Sequence, residues 1–548
     1  MAKGLIRDNF LSTQAGGATA VPALANAVDI DHTNPQLYYV PKQPRLGRYN
    51  TGYGNEVYLI ERRIDSEWPD RANFGNPKDI QPTDDVVEEM IEEHDVKIDQ
   101  ERVVRSRLFD QIIGDWDRHD GQWEWAEKEE GDWEVYKPIP RDRDQVFSKY
   151  DGAITWLVSK FPTGFLHQLQ PYSDDIKDIH WATWSARYFE RTFTNEMEWP
   201  DWKKEALFLK KNLTDSVIDY TFGLWPEKVQ ELTAAEIKGH LKARRNTILD
   251  IARRMYLNQA REVDVLGTEK KDRFDIHYYN SDSLEVKMWD SNSDADQEKL
   301  LYQRTFLTAE TKEIHIYGME DNDHFFITGE AKKSPLIRMI GGLEKDYFTD
   351  KSSLSTLGKK HLVYDRKDAD NELEGKEIKD KRTNRAEYNV YNHRGQHYEY
   401  DIFFPLPYLG YNVENGLSLG ATATWTKHKF KKSPHASLHE MQASYALGSG
   451  APELMYKGEY IEALNPFDLS IEAEYQGAQY STNFFGLGNE TPNNRSIDFY
   501  RINQEILRVF PALQKRTAGE AVDFRLGPKF MMSDFENRSE SFLNTVAP

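Results

Sequence analysis

The chain has 548 residues, a formal net charge of −21, 13% aromatic residues and no cysteine, with a mean hydropathy of −0.75. Its length exceeds one ordinary domain, and its acidity argues against a nucleic-acid partner, which needs a basic face. Without cysteine there is no disulfide, thiolate zinc site or cysteine nucleophile, so a metal must sit on Asp, Glu or His.

No stretch reaches the roughly 18 apolar residues of a membrane helix. Ala15–Val28 is small and apolar but is broken by Gly and Pro, so it makes no convincing signal peptide. Residues 1–83 are loop-rich. They hold one helical stretch, Pro22–Val28, and two strand-like runs, Gln36–Val40 and Glu56–Glu61, punctuated by Pro35, Pro41 and Pro44. Two helices follow between Asp84 and Ile113. Val86, Val87, Met90 and Ile91 line one; Val103, Val104, Leu108, Ile112 and Ile113 line the other.

The second helix aims at the stretch with the most chemistry. GDWDRHDGQW, starting at Gly114, is followed by PIPRDRDQVF, starting at Pro138. Two Asp groups on turns beside apolar runs suit a hard divalent cation, which takes carboxylate oxygens and keeps several waters. The competing reading is a salt-bridged turn at Asp117, Arg118 and His119 and an alternating-charge loop over Arg141–Asp144, because structural ion pairs imitate sites. In order and spacing the two phrases resemble the catalytic segment of the CotH-type spore-coat kinases, a branch of the protein-kinase-like fold. The resemblance implies that Asp117 is the catalytic-loop aspartate with His119 shaping the loop, and that Asp142 and Asp144 hold magnesium or manganese with a nucleotide. It places Arg118 and Arg141 toward the cofactor and Gln122 near an amide position where the family prefers Asn. A nucleotide-gripping lobe needs a Gly-rich loop and a strand Lys. Gly52–Gly54 is too short for the former, and Lys3 and Lys42 lie in poor contexts for the latter, so that lobe is expected before Met1.

Gly152–Trp202 is a Trp-rich, mixed segment that the sequence does not assign to helix or strand. Thr214 is expected to cap a helix through Tyr220. Thr233-Ala-Ala-Glu236 reads as a capping box opening a helix to about Ala260, with Arg244 and Arg245 on a charged stripe. From Val263 to Asp365 the period shortens. Leu284–Trp289, Glu313–Tyr317, Leu336–Ile340 and His361–Asp365 are strand-like, separated by Asp-, Asn- and Gly-rich turns. GMEDNDHFFI and GGLEKDYFTD echo each other and resemble a degraded calcium-binding repeat of the parallel β-helix type. That resemblance makes Asp321, Asp323 and Asp346 candidate calcium ligands, although a structural β-solenoid or sandwich spacer is the simpler expectation. Arg366–Gln396, crowded with charge, reads as a linker.

The last 150 residues or so alternate most regularly. Leu417 to Trp425, Phe467 to Tyr475 and Val522 to Phe530 put apolar residues on one face, with further strands near His439–Leu447, Glu453–Ala463 and Tyr500–Phe510. Segments of roughly ten residues, apolar on one face and polar on the other, are the transmembrane β-barrel pattern; a soluble sandwich alternates too. NFFGLGNET, Asn483–Thr491, and FFPLPYLGYNVENGLSLGATATW resemble the bacterial surface antigen barrels, the BamA/TamA-like outer-membrane family.

The sequence therefore predicts a multidomain α+β chain. Residues 1–205 form a partial kinase-like α/β core, 206–262 a helical extension, 263–365 a β-solenoid or sandwich spacer, 366–396 a linker, and 397–548 antiparallel strands of an incomplete outer-membrane β-barrel. The expected function is a barrel-anchored protein with a periplasmic, metal-dependent kinase-like module. Such fusions sometimes carry a metallophosphoesterase domain as well. The expected partners are outer-membrane lipid and a periplasmic protein or phosphorylated substrate, with no nucleic acid. The alternatives are a non-enzymatic assembly, translocation or surface protein on a decayed kinase-like scaffold, and a soluble calcium-dependent adhesin. The chain is expected to be a fragment, lacking its signal peptide and further strands.

Overall fold

A computed structural model describes residues 14, 16–64, 71–150, 164–291, 299–395, 398–488, 494–516, 522–536 and 540–546. The chain divides into two compact units. The first comprises Met1–Leu157 and His167–His393, the second Val158–Leu166 and Arg394–Pro548. The whole is mixed α/β, with a large antiparallel sheet at the C-terminus.

The first unit begins with a two-stranded ribbon, β1 (Gln36–Val40) and β2 (Glu56–Ile60). A four-stranded sheet follows, in the order β3 (Ile80–Pro82), β5 (Trp123–Glu130), β6 (Trp133–Pro140), β4 (Val96–Ile98). On it Trp123 stacks on Phe189 at 4.2 Å, and Trp125 meets Phe193 at 4.5 Å. Helix Thr83–Glu92 joins this layer, and helix Gln100–Ile113 leads into β5. Asp99 starts the latter by accepting the Arg102 N–H at 3.1 Å. The helix is buried on most of its surface against Trp202, Ala206 and Leu209 of helix Trp199–Asn212 and Leu241, Ile248, Ile251 and Met255 of helix Ala235–Ala260.

Thr214 caps helix Asp215–Gly223 as its sequence predicts, accepting from Val217 N–H at 3.2 Å. Thr233 does not cap. The helical path already starts at Glu227 behind Pro226 and runs through a π turn, Gln230–Ala234, so the Thr233 hydroxyl bonds back to the Val229 carbonyl at 3.2 Å. A capping sequence inside a continuing helix uses its hydroxyl on the preceding turn instead.

From Glu262 onward the chain winds. Its strands are β7 (Glu262–Leu266), β8 (Asp272–Tyr278), β9 (Ser283–Asp290), β10 (Leu300–Leu307), β11 (Glu313–Met319) and β12 (His324–Ala331). They continue with β13 (Leu336–Gly342), β14 (Tyr347–Asp350), β15 (Ser353–Leu354), β16 (His361–Tyr364), β17 (Glu372–Glu374) and β18 (Ile378–Asp380). One sheet runs β18-β16-β13-β11-β7, all parallel; the other runs β10-β9-β8-β12-β14-β17, parallel from β8 to β17. Successive strands alternate between the two sheets, so each pass adds one strand to each, and β9–β10 is a hairpin inserted after the first pass. Phe274, Phe325 and Phe348 stack from pass to pass at 4.9 and 4.7 Å. The charged stretch expected to be a linker joins the winding through β17 and β18. Tyr388 and Tyr391 then lie against Tyr364 and Tyr317 at 6.1 and 5.0 Å.

Three of the turns that lead from the first sheet to the second carry a Gly and, five residues on, an Asp: Gly267 and Asp272, Gly318 and Asp323, Gly341 and Asp346; in the fourth, β16 to β17, Asn371 stands in the Asp place. The aspartates form a ladder. Asp323 Oδ1 accepts the Asp272 N–H at 2.8 Å, Asp346 Oδ1 the Asp323 N–H at 2.8 Å, and Asn371 Oδ1 the Asp346 N–H at 2.9 Å. A Cβ at Gly318 would fall 2.1 Å from Asp323 Oδ2 and one at Gly341 2.2 Å from Asp346 Oδ2, so only glycine fits there. His94 closes the ladder, with Nε2 at 3.0 Å from Asp272 and Nδ1 at 3.1 Å from Asp290. Burial and neighbouring acids push Asp323 well up and Asp346 (beside Asp365 and Glu344) up to about 9, and burial raises Asp365 to about 6 although its hydrogen bonds from the Arg366 N–H and with Asp346 lower it.

The second unit is one curled antiparallel sheet. Its long strands are β19 (Ile402–Asn412), β20 (Gly416–Lys427), β21 (Ser437–Ala446), β22 (Ala451–Leu464) and β23 (Phe467–Gln476). Beyond them come β24 (Ser481–Asn483), β25 (Arg501–Arg516), β26 (Asp523–Leu526) and β27 (Phe530–Phe535). The order is β19-β20-β21-β22-β23-β25, with β24, β26 and β27 all paired to β25. Pro511, which has no N–H to donate, lies opposite the break between β26 and β27, where Gly527 passes close to the Pro511 carbonyl. Pro405 and Pro407 sit on the outer strand β19, where a missing donor costs no ladder bond. Among the described residues the sheet does not close into a barrel.

The ladder makes a prediction about pH. A folded-state proton held by Asp346, from its ordinary 3.8 up to about 9, is released on unfolding. Its stabilisation is therefore complete below 3.8 and drains away as pH rises toward 9. Urea midpoints measured in chelator should fall across that window. Asp346→Asn, which keeps the acceptor and removes the charge, should flatten the slope; an unchanged slope contradicts a protonated ladder.

Candidate functional site

Helix Gln100–Ile113 ends at Gly114, in a left-handed conformation (φ 75°), whose N–H bonds the Asp110 carbonyl. A Cβ there would strike the Tyr172 ring at 2.6 Å. The chain then makes the first Asp loop, runs out along β5, returns along β6 and makes the second. The hairpin register, Trp123 opposite Pro140, delivers both loops to one end. Arg141 N–H bonds the Gln122 carbonyl at 3.0 Å, tying one loop to the other.

The main tie is Arg118. Its guanidinium donates to the Arg141 carbonyl at 2.7 Å and the Gln122 carbonyl at 3.1 Å, lies 3.4 Å from Asp110, and packs over the Trp123 ring at 4.6 Å. It is 0% exposed. The sequence places Arg118 toward a cofactor; in the structure its guanidinium is fully buried and holds the two loops together. Around it lies a buried network. Arg107 bonds Asp110 at 2.6 Å and Glu190 at 2.8 Å, and Arg143 bonds Asp110. Burial opposes the Asp110 charge, yet Arg143, Arg118 and Arg107 hold its carboxyl below the ordinary value. Asp115 is held less closely, 3.6 Å from both Arg118 and Arg143, and burial pushes it up to about 7.

The remaining expected residues lie on the outer side of this tie. Asp142 is exposed, in a left-handed conformation (φ 52°), with its N–H on Glu61 Oε1 at 3.3 Å. Asp144 accepts from the Gln145 amide at 3.0 Å; burial raises its carboxyl, and the charges of Asp142 and Asp117 raise it further. The three acids from the two loops therefore share one electrostatic neighbourhood, which suits a hard cation with oxygen ligands. Among the described residues no three metal-ligating side chains already converge. His119 is exposed; its Nδ1 accepts the Gly121 N–H at 3.1 Å and its Nε2 faces the buried Gln122 amide at 3.3 Å. Arg141 reaches the Gly121 carbonyl at 3.2 Å and Glu124 at 3.4 Å. Asp120 meets His393, whose Nε2 lies 3.1 Å away and whose Nδ1 is 2.9 Å from the Thr192 hydroxyl.

Sequence reasoning missed Asp110, Asp115, Arg143, Glu190 and His393. Arg107 and Asp110, three apart on one helix, carried a signal; the long-range partners carried none. The calcium candidates divide. Asp323 and Asp346 belong to the ladder, whereas Asp321 bonds the N–H and amide of its neighbour Asn322 at 2.7 and 2.9 Å.

The sheet of the second unit is two-faced. Cross-strand pairs Phe403–Trp425, Leu409–Leu419, Trp425–His439, Ala443–Leu454, Tyr475–Leu507 and Leu513–Leu526 lie on a single face. Small side chains, Ala421, Ala423, Ala443 and Ala473, occupy its middle. Phe403, Trp425, His439 and Tyr460 border one end, and Tyr411, Tyr445 and Tyr475 the other. The opposite face is charged and self-paired: Arg508 with Glu474 at 2.7 Å, Arg516 with Glu459 at 2.7 Å, Arg525 with Glu472 at 2.9 Å and Lys457 with Glu440 at 3.3 Å. It lines a trough of about 530 Å³.

No family model, curated protein or solved structure matches this chain.

Removing the central tie tests the site's architecture. Arg118→Ala leaves Asp110 and Asp115 buried without it and should cost about 3–5 kcal/mol in urea unfolding. Arg118→Lys cannot span both carbonyls and should recover only part of that. A loss near zero for Arg118→Ala contradicts the assignment.

Proposed function

We propose that this chain is an outer-membrane protein whose C-terminal sheet meets lipid with its apolar face and whose first unit is a periplasmic, kinase-like module handling phosphate or nucleotide with a divalent metal. The observation that carries the membrane half is the one-sidedness of the sheet. A continuous apolar face bordered by aromatic rows, backed by a charged face, is the pattern hydrocarbon and water together select. A soluble sandwich would bury that face under a second layer, and Leu409, Tyr411, Phe524 and Leu526 are largely exposed.

The phosphate half is supported by the order of helix, Asp loop, hairpin and second Asp loop, and by the charges of Asp142 and Asp117, one from each loop, acting on Asp144. In this reading Asp117 orients the acceptor hydroxyl and takes its proton, while Asp142 and Asp144 hold magnesium or manganese. The metal neutralises phosphate charge. The buried Arg118 tie fixes the distance between the two loops. One observation favours a non-enzymatic second reading, a scaffold attached to the sheet: the Arg118 guanidinium is buried within the fold and leaves Arg141 as the remaining candidate cofactor contact.

Two measurements decide. Leu454→Arg on the apolar face should weaken association of the full chain with phosphatidylcholine vesicles by about 2–4 kcal/mol; a chain that never floats with vesicles ends the membrane reading. Calorimetry on the full chain should show magnesium-dependent nucleotide binding that Asp142→Ala abolishes. Absence of binding at millimolar nucleotide favours the scaffold.

A further inference from the structure

The ribbon β1–β2 and its tip contribute almost nothing to the core. The tip segments Pro44–Tyr49 and Asn50–Tyr53 contain no buried residue. Isolated two-stranded ribbons are marginal in water, yet this one is built with care. Asn50 accepts the Gln43 N–H at 2.9 Å and donates to its carbonyl at 2.7 Å. Asn55 accepts the Lys42 N–H at 3.0 Å and the Tyr39 hydroxyl at 3.1 Å. Arg48 bonds the Tyr49 hydroxyl at 2.8 Å and lies 4.9 Å from its ring centroid; Tyr49 meets Tyr53 edge-on at 5.9 Å.

What the ribbon displays is unlike the rest of the chain. The ribbon and its tip, residues 36–60, carry Lys42, Arg45 and Arg48 against the single acid Glu56, in a protein of net charge −21. Tyr38, Tyr39, Tyr49 and Tyr53 are exposed beside them. On the strands Leu37 pairs with Leu59 and Tyr39 with Val57, and Tyr39 and Val57 are 61% and 60% exposed. Contiguous exposed apolar side chains on an ordered element mark an interaction surface.

We infer that this ribbon is an arm that docks on the anionic phospholipid headgroups of a bilayer. Tyrosines settle at the headgroup level, aliphatic side chains reach just below it, and Lys and Arg meet lipid phosphate. Leu37, Val57 and Leu59, on one face of the ribbon with Tyr39, suit acyl chains and have no counterpart on a nucleic acid. The inference stands on residues of the first unit alone and does not need the sheet to be lipid-facing.

The cysteine-free chain allows a direct test. Thr51→Cys, exposed at the tip, is labelled with an environment-sensitive fluorophore on the full-length protein, and a separate Ala421→Cys label reports the sheet. With vesicles of equal phosphatidylcholine and phosphatidylglycerol, the arm label should brighten severalfold and shift to the blue. Pure phosphatidylcholine should leave it nearly unchanged. In the K42E/R45E/R48E background, shown folded by an unchanged melting curve, the response to anionic vesicles should be lost. Silence on anionic vesicles overturns the inference. So does an equal response to neutral ones, a concentration-dependent response without lipid (which would assign a second copy), or a response to polyuridylate alone. A responding arm beside a silent sheet label would defeat the membrane reading of the sheet and leave the arm standing.

Discussion

A carboxylate withdrawn from water must find a cation, a donor or a proton, and the first unit uses all three solutions. Asp110 takes cations: three guanidinia surround it, and the helix, both Asp loops and the Glu190 helix are joined through it. The ladder aspartates take donors on one oxygen, from the backbone of the preceding pass, and burial favours a proton on the other. Asp115, between the two regimes, is raised to about 7, so its charge is open to change near neutrality. The surface acids Asp117 and Asp142 remain accessible because this inner layer holds the loops in place.

Alternation and local punctuation were legible in the sequence. Gln36–Val40 and Phe467–Gln476 match their strands residue for residue, and Thr214 caps its helix, since each depends on neighbours a few positions away. The two-faced sheet was legible for the same reason: a period of two leaves a visible stripe. The passes of the winding were half legible. In the first pass neither β7 nor β8 was visible, only β9 of the inserted hairpin; from β11 on, one strand of each pass was visible as an apolar run. Its partners β12 and β14, His324–Ala331 and Tyr347–Asp350, were absorbed into the turn repeats, because the Gly and Asp that precede them look like loop chemistry.

The site was legible in its membership and not in its roles. Asp117, Asp142 and Asp144 stand out by residue type and spacing. Arg118 stands out equally and is in fact enclosed, because nothing local to Asp-Arg-His tells an exposed arginine from one that meets Asp110 eight residues upstream and a carbonyl 23 residues downstream. The charged stretch after Asp365 misled for a related reason. Lys, Arg and Asp at the outer edge of a wound sheet resemble those of a linker, and only the pairing of β18 with β16 separates them.

The bond between His393 and Asp120 has a mechanical meaning. His393 is the last residue of the first unit, and Asp120 lies inside the first Asp loop, between His119 and Gln122. One imidazole, with Nδ1 on the Thr192 hydroxyl and Nε2 on Asp120, therefore ties the last residue of this unit to a helix and to the first Asp loop together, so a displacement of that backbone end is felt at the candidate site.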